Sequence, residues 1–301
     1  MRVFALLLIV MVSAGFAACE PPIPKPPPPF EPPTEPPSDA ELIAARPFTI
    51  RVPDSYDGGT AMPLLIALHG YGGTGKEIVD YYDLERFADS RDMFLFAPDG
   101  IKDARGIAAW TVGHTRWPNW DVTYIGAVIR AAKATYAIDP SRVIVFGGSQ
   151  GGHMAYRMAC DDAEEVTAAL VVAGQAPIDG SCSPTKPVSV LHMHGTADEA
   201  IGYYGDVQNF PPDPRIPSAH DTVAEWAAND GCTGMLTLDP SSPIDVSLDV
   251  PGAETKVESY AGCPTGIDVT FWTMNDVIHR PNPNASFTSR MLLFASQHPR
   301  P

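Results

Sequence analysis

The stretch "RVIVFGGSQGGHMAYRMAC" (142–160) sets Gly147, Ser149 and Gly151 in a Gly-x-Ser-x-Gly arrangement between an apolar run and a helix-like one. Glycines at those two places permit a tight turn that lifts a serine hydroxyl clear of the backbone, the geometry of a nucleophile. The motif alone arises by chance in glycine-rich chains, so the strand and helix patterns on either side carry the weight. A serine at its ordinary pKa attacks poorly; it needs a histidine base, and the histidine needs an acid to orient it. After such a turn the acid is expected before the histidine along the chain. Asp198, just past the apolar run "VSVLHMHG", is the first candidate, ahead of Asp206 and Glu199. Only His220, His279 and His298 follow it; His220 opens a predicted helix and His298 lies in the terminal tail, which leaves His279, in the loop "DVIHRPNPN", as the predicted base.

Attack by a serine puts negative charge on the carbonyl oxygen, and backbone N–H groups aimed at that oxygen stabilise it. One donor is expected to be the amide of Gln150, directly after the nucleophile. The other is expected from "HGYGGTGKE" (69–77), from Tyr71 with Gly72 as the alternative. That loop nearly spells a phosphate-binding signature, but Glu77 stands where a Ser or Thr would ligate magnesium, and its carboxylate would repel a nucleotide. Lys76 then reads as helix surface. "WTVGHTRWPNW" holds Trp110, Trp117 and Trp120, aromatic faces that either grip a substrate or pack the loop onto the body. His192, His194 and Asp198 in "HMHGTAD" resemble a metal site, but no second histidine cluster completes a shell, so both histidines read as structural and no metal or cofactor is expected.

The elements that must position these groups follow from periodicity. "LLIALHG", "MFLFAPDG", "RVIVFGGS", "TAALVVAG" and "VSVLHMHG" read as buried strands alternating with helical patterns, the order of a parallel sheet with crossover helices. "DVTYIGAVIRAAKATYAIDP" reads as a helix capped by Asp121 and ended by Pro140, with Val122, Ile125, Ile129, Ala132 and Tyr136 on one face. "KEIVDYYDLERFADS" and "AHDTVAEWAANDG" are helix-like; "IDVTFWTMN" is a late strand and "SFTSRMLLFASQ" a closing helix, while 235–255 has no clear period.

The chain opens with Arg2 and an apolar run ending in small residues, the layout of a secretory signal over residues 1–19. Cys19 follows "FAA" and is the expected site of lipidation, despite Phe16 where a smaller aliphatic residue is usual. Residues 20–39, "EPPIPKPPPPFEPPTEPPSD", are too proline-dense for helix or sheet and read as an extended tether spanning roughly 60 Å. Residues 40–301 then form one α/β domain. A formal net charge of −16 argues against nucleic acid and anionic lipid surfaces as partners, leaving a lipid anchor as the only expected membrane attachment. With Cys19 set aside, Cys160, Cys182, Cys232 and Cys263 allow three pairings, and proximity favours Cys160 with Cys182 and Cys232 with Cys263.

From about residue 47 to 297 the chain resembles the α/β-hydrolase esterases that include secreted polyhydroxybutyrate depolymerases, feruloyl esterases and acetylxylan esterases of carbohydrate esterase family 1. The resemblance is carried by "LHGYGG", "APDG", "DVTYIGAVI", "YAIDPSRVIVFGGSQGGHMAYRMAC", "HGTADEAIGYYG" and the late pair Cys232 and Cys263. It implies an α/β-hydrolase fold, a mostly parallel sheet with helices on both faces, and a secreted serine esterase in which Ser149, Asp198 and His279 act together. The implied partner is an ester, polymeric or small: a polyhydroxyalkanoate, or a feruloyl or acetyl ester of plant polysaccharide. Around the base the family often carries a glycine run before the histidine and Trp-Pro after it, whereas "MNDVIHRPNPN" has neither. A non-catalytic binding protein on the same scaffold and a peptidase are the competing expectations.

Overall fold

In the computed structural model, residues 37–112, 120–176, 182–207 and 215–300 are described. The signal, Cys19, the proline tether up to residue 36 and Trp117 lie outside them. The first helix, α1 (Asp39–Ala45), starts inside the segment read as tether: Ser38 accepts the Glu41 amide and Glu41 returns to the Ser38 amide, a reciprocal cap that starts a helix directly after the prolines.

Thirteen strands follow in chain order: β1 (Ile50–Arg51), β2 (Met62–Leu68), β3 (Phe94–Phe96), β4 (Ile101–Lys102), β5 (Ala108–Ala109), β6 (Ile138–Gly148), β7 (Ala168–Val172), β8 (Ser189–Gly195), β9 (Asp206–Val207), β10 (Arg215–Ile216), β11 (Leu236–Leu238), β12 (Thr255–Tyr260) and β13 (Val269–Met274). The other helices are α2 (Gly75–Tyr81), α3 (Leu84–Asp89), α4 (Trp120–Thr135), α5 (Gln150–Asp161), α6 (Ala219–Asn229) and α7 (Ala285–Gln297). Nine strands make one sheet in the order β1-β3-β2-β6-β7-β8-β13-β12-β11. From β3 to β13 neighbours run parallel; β1, β12 and β11 are antiparallel at the edges.

The central strands are buried on both faces, which is why they read as unbroken apolar runs. Along β2, Leu64, Ile66 and Leu68 join the core under α4, α5 and α6, while Leu65 and Ala67 join the core under α2, α3 and α7. Cys160–Cys182 and Cys232–Cys263 are bonded, the pairing that proximity favours. Loops of 22 and 31 residues are closed, each worth ~3 kcal/mol in the chain-entropy account.

Three local expectations are corrected. Asp121 does not cap α4: it lies within the first turn, buried, and accepts Arg46 Nη1 and the Thr111 amide, each at 2.7 Å. Pro140 does not end α4, which stops at Thr135; it sits inside β6 where the register against β2 jumps, Met62 pairing Ile138 and Leu64 pairing Val143, so its missing N–H costs no ladder bond. The pattern "KEIVDYYDLERFADS" breaks into α2 and α3 because Asp83 takes a left-handed conformation, φ 49°.

Asp230, beyond α6, is buried; Oδ1 accepts the Val188 amide at 2.9 Å while Oδ2 has no hydrogen-bond partner among the described residues. Burial pushes its pKa up to about 7. A folded pKa above the unfolded value means that the native state holds the proton longer, so this group's contribution to stability falls as pH rises from about 4 to about 7, by up to ~1.4 kcal/mol per unit. Asp230→Asn removes that slope: in thermal unfolding, the Tm difference between variant and parent is expected to move in the variant's favour across this window, and a constant difference would count against the assignment.

Candidate active site

β6 runs into α5 through Ser149, whose backbone stands at φ 54°, ψ −122°, a conformation that L-residues seldom adopt. The turn is tight on both sides: a Cβ on Gly147 would lie 2.0 Å from the Gly151 carbonyl oxygen, and one on Gly151 would lie 1.9 Å from that of Leu68. Only glycine fits either place, which is the physical content of the Gly-x-Ser-x-Gly spacing.

Asp198 follows β8 and His279 follows β13, and these parallel neighbours are in register through Met274 and Gly195, so both loops leave the same edge of the sheet. They are tied together: the Ala197 amide donates to Val277 O, the Asp276 amide to Thr196 Oγ1, and the His279 amide to Glu199 Oε2. Glu199, the alternative acid, is thus spent on the histidine's backbone. The result brings the three side chains into one line. His279 Nε2 lies 2.9 Å from Ser149 Oγ, and His279 Nδ1 lies 2.9 and 2.8 Å from the two oxygens of Asp198. His220 Nε2 instead meets the Tyr203 hydroxyl, and His298 Nδ1 meets Phe294 O.

The Asp198 side chain is wholly buried, and burial alone would raise its pKa. Hydrogen bonds from His194, His279 and the Ile201 amide outweigh that and hold it well below the ordinary carboxylate range. The Ala200 amide is a further donor, at 2.9 Å. Asp198 is therefore a carboxylate across the working pH range.

Opposite the base stands the loop after β2. The Gly72 amide is committed to Ala108 O at 2.8 Å, which removes it as an oxyanion donor; the Tyr71 and Gln150 amides have no acceptor among the described residues. The two halves of this cradle are bound to each other. Gln150 Oε1 accepts the Trp110 amide at 3.0 Å, and Trp110 Nε1 donates to His69 O at 2.7 Å. The Gly100 amide donates to His69 Nε2 at 2.8 Å, so the His69 proton is on Nδ1, where it reaches Gly70 O at 2.7 Å. Trp110, for which gripping a ligand and packing the loop were both open, is 4% exposed and clamps the loop from beneath. Trp120 packs against the core at the start of α4. Sequence reasoning missed His69; its adjacency to the glycine loop was the available signal.

Lys76 is exposed and pairs with Asp80, and Thr74 caps α2 through the Glu77 amide, so the near-match to a phosphate loop ends in an ordinary helix start. A cavity of about 390 Å³ opens at Ser149 between this loop, α2 and the His279 loop. Its walls include Ile78, Tyr81, Tyr82, Val172 and Arg280. His192 and His194 hold no metal-like cluster among the described residues; they are hydrogen-bonded to each other at 3.2 Å, deep in the sheet.

A mostly parallel sheet covered on both faces, with a serine on a strand-to-helix elbow and an acid and a histidine on later strand ends, defines an α/β-hydrolase. Acetyl xylan esterase from Aspergillus awamori has the same fold, with a TM-score of 0.56 at 17% identity over 82% of this chain and 93% of that one. Residues 40–289 match the family model described as "Putative esterase", and the chain belongs to that esterase family. Among its relatives, feruloyl esterase B of Piromyces equi is 27% identical over 236 residues, 76% of this chain and 42% of that protein. A protein named "Probable feruloyl esterase C" from Aspergillus niger is 30% identical over 172 residues, 55% of this chain and 60% of its own. The chain thus spans about half the length of these relatives.

Trp110→Phe keeps an aromatic ring, though a smaller one, and deletes the bond to His69 O. We expect about a tenfold fall in kcat on an activated ester with KM nearly unchanged, and ~1 kcal/mol lost in urea unfolding, the net worth of one buried hydrogen bond. Unchanged kcat would show that the clamp does not hold the cradle.

Proposed function

We propose that the protein is an exported serine esterase that cleaves carboxylic esters through an acyl-enzyme. The observation that carries this reading is the unbroken hydrogen-bonded line from Asp198 through His279 to Ser149, facing two uncommitted amides. Ser149 Oγ attacks the carbonyl carbon while His279 Nε2 takes its proton, and Asp198 stabilises the imidazolium that forms. The amides of Tyr71 and Gln150 hold the oxyanion. The C–O bond then breaks, the alcohol leaves with the proton from His279, and a water deprotonated by His279 releases the acid and restores Ser149. The disulfides support export. A lipid anchor at Cys19 is part of the proposal.

We place hydroxycinnamoyl esters of plant polysaccharide first among the substrates. The cavity is larger than an acetyl group needs, and two tyrosines and Val172 line it. Tyr82 is buried, its hydroxyl has no partner among the described residues, and burial raises its pKa so that it stays a neutral donor. Arg280 lies 4.2 Å over the Tyr81 ring at the same wall. Such walls suit a flat, oxygen-bearing acyl group. The names of the feruloyl esterase relatives support the same class.

Ser149→Ala is expected to fold and to lose both turnover of p-nitrophenyl acetate and labelling by a fluorophosphonate; retained turnover would remove the proposal. For the substrate, kcat/KM is compared on methyl ferulate, p-nitrophenyl acetate and hydroxybutyrate oligomers. Methyl ferulate is expected to lead, and Tyr82→Phe to lower it about tenfold, the worth of one hydrogen bond, with p-nitrophenyl acetate unaffected. Equal loss on both would argue against a Tyr82 contact to the acyl group.

A further inference from the structure

The segment "HMHGTAD" ends at the acid of the site. His192 and His194 are two apart on β8 and therefore share a face, the one covered by α5 and α6. Both are fully buried. His194 Nε2 lies 2.8 Å from Ile201 O and 3.1 Å from Asp198 Oδ2. A carbonyl oxygen only accepts, so this nitrogen carries a proton and shares it with the carboxylate. His194 Nδ1 is then bare in the neutral ring, and it accepts from His192 Nε2 at 3.2 Å. His192 Nδ1 is bare in turn and accepts the Tyr156 hydroxyl at 2.8 Å. Burial favours the neutral forms of Tyr156 and His192: it raises the Tyr156 phenol well above its usual range and lowers His192 well below its own. Every donor in the line Tyr156–His192–His194 thus points towards Asp198.

The acid's two oxygens are served unequally. Oδ1 accepts the Ala200 and Ile201 amides at 2.9 and 2.7 Å, besides His279. Oδ2 has His279 at 2.8 Å and His194 at 3.1 Å. Without His194, Oδ2 would be left to the base alone, and the carboxylate would be held only at Oδ1 as His279 gains and loses its proton.

We propose that His194 is a positioning residue for Asp198, with its tautomer set by His192 and Tyr156, and that this three-residue line is part of the machinery that orients His279. This rests on the serine esterase reading of the site. A purely structural role for the buried rings would cost stability; a positioning role costs turnover in a way that depends on which atom points at Asp198.

The test uses the full chain and four variants: His194→Ala, His194→Gln, Tyr156→Phe and Tyr156→Phe with His194→Gln. Each is titrated with a fluorophosphonate to count reactive Ser149, followed by circular dichroism and steady-state kinetics on p-nitrophenyl acetate. Glutamine can present its amide N–H close to the place of Nε2. His194→Ala is expected to lose about 10- to 100-fold in kcat with KM within about twofold, the scale of a misplaced catalytic group. His194→Gln is expected to recover all but a few-fold of that loss. Tyr156→Phe is expected to cost several-fold in the parent and nothing further beside His194→Gln, since the amide does not read the tautomer of His192. Equal losses in the Ala and Gln variants, or the same Tyr156→Phe cost in both backgrounds, overturn the proposal. If His194→Ala does not fold, the Tyr156 and Gln variants decide alone. Absence of labelling in the unaltered chain would instead overturn the esterase reading beneath it.

Discussion

The arrangement depends on one strained residue. Ser149 holds a positive φ in the turn from β6 to α5, a conformation that costs on the order of 1–3 kcal/mol for an L-residue and persists only where the surroundings leave no alternative. They leave none here. Its amide donates to Val172 O, its carbonyl accepts the Gly152 and His153 amides, and the glycine backbones on either side touch Leu68 and Gly151 carbonyls too closely for any side chain. Because the backbone of Ser149 is fixed, the other parts of the site are brought to it by loops at the same sheet edge.

Those loops come from strands that are neighbours in space but far apart in sequence. β8 and β13 run parallel and in register, so Asp198 and His279, 81 residues apart, emerge side by side. Backbone bonds between the two loops, from the Thr196 amide to Met274 O and from the Ala197 amide to Val277 O, make them one unit. On the other side of Ser149, Gln150, Trp110 and His69 bind the two amide donors into a second unit. The site is two small rigid bodies around a fixed hydroxyl.

How much of this was readable beforehand depended on scale. Buried parallel strands announce themselves as apolar runs, and catalytic groups in such a sheet sit at strand ends, so the sheet, Ser149 and the placement of Asp198 and His279 beside it were all accessible from pattern and order. The penultimate strand β12 was not, because "TKVESY" is only half buried and alternates weakly. Asp121 was misjudged, and the two readings of Trp110 were left undecided, for a shared reason. A capping aspartate and a buried, Arg-paired aspartate look alike in sequence, as do an exposed tryptophan and one whose indole is tied to a backbone carbonyl. Pro140 misled because a proline inside a strand is tolerated only where the register slips, and a slip leaves no mark on composition. Partners distant in the chain decide each case.

The histidines that escaped functional notice share a physical logic. A neutral imidazole is both a donor and an acceptor at fixed separation, so in a dry interior it can join one backbone group to another without bringing a charge that must be compensated. His69 does this for the oxyanion loop, taking the Gly100 amide on one nitrogen and giving its proton to Gly70 O from the other. His192 and His194 do it behind the acid, passing direction from the Tyr156 hydroxyl to Asp198. A lysine or arginine in either place would add a buried charge beside groups that are already poised, and an apolar residue would leave backbone or carboxylate oxygens unserved. In the proposed reaction the charge is then confined to one imidazole, His279, which is partly exposed on one side and faces a carboxylate on the other.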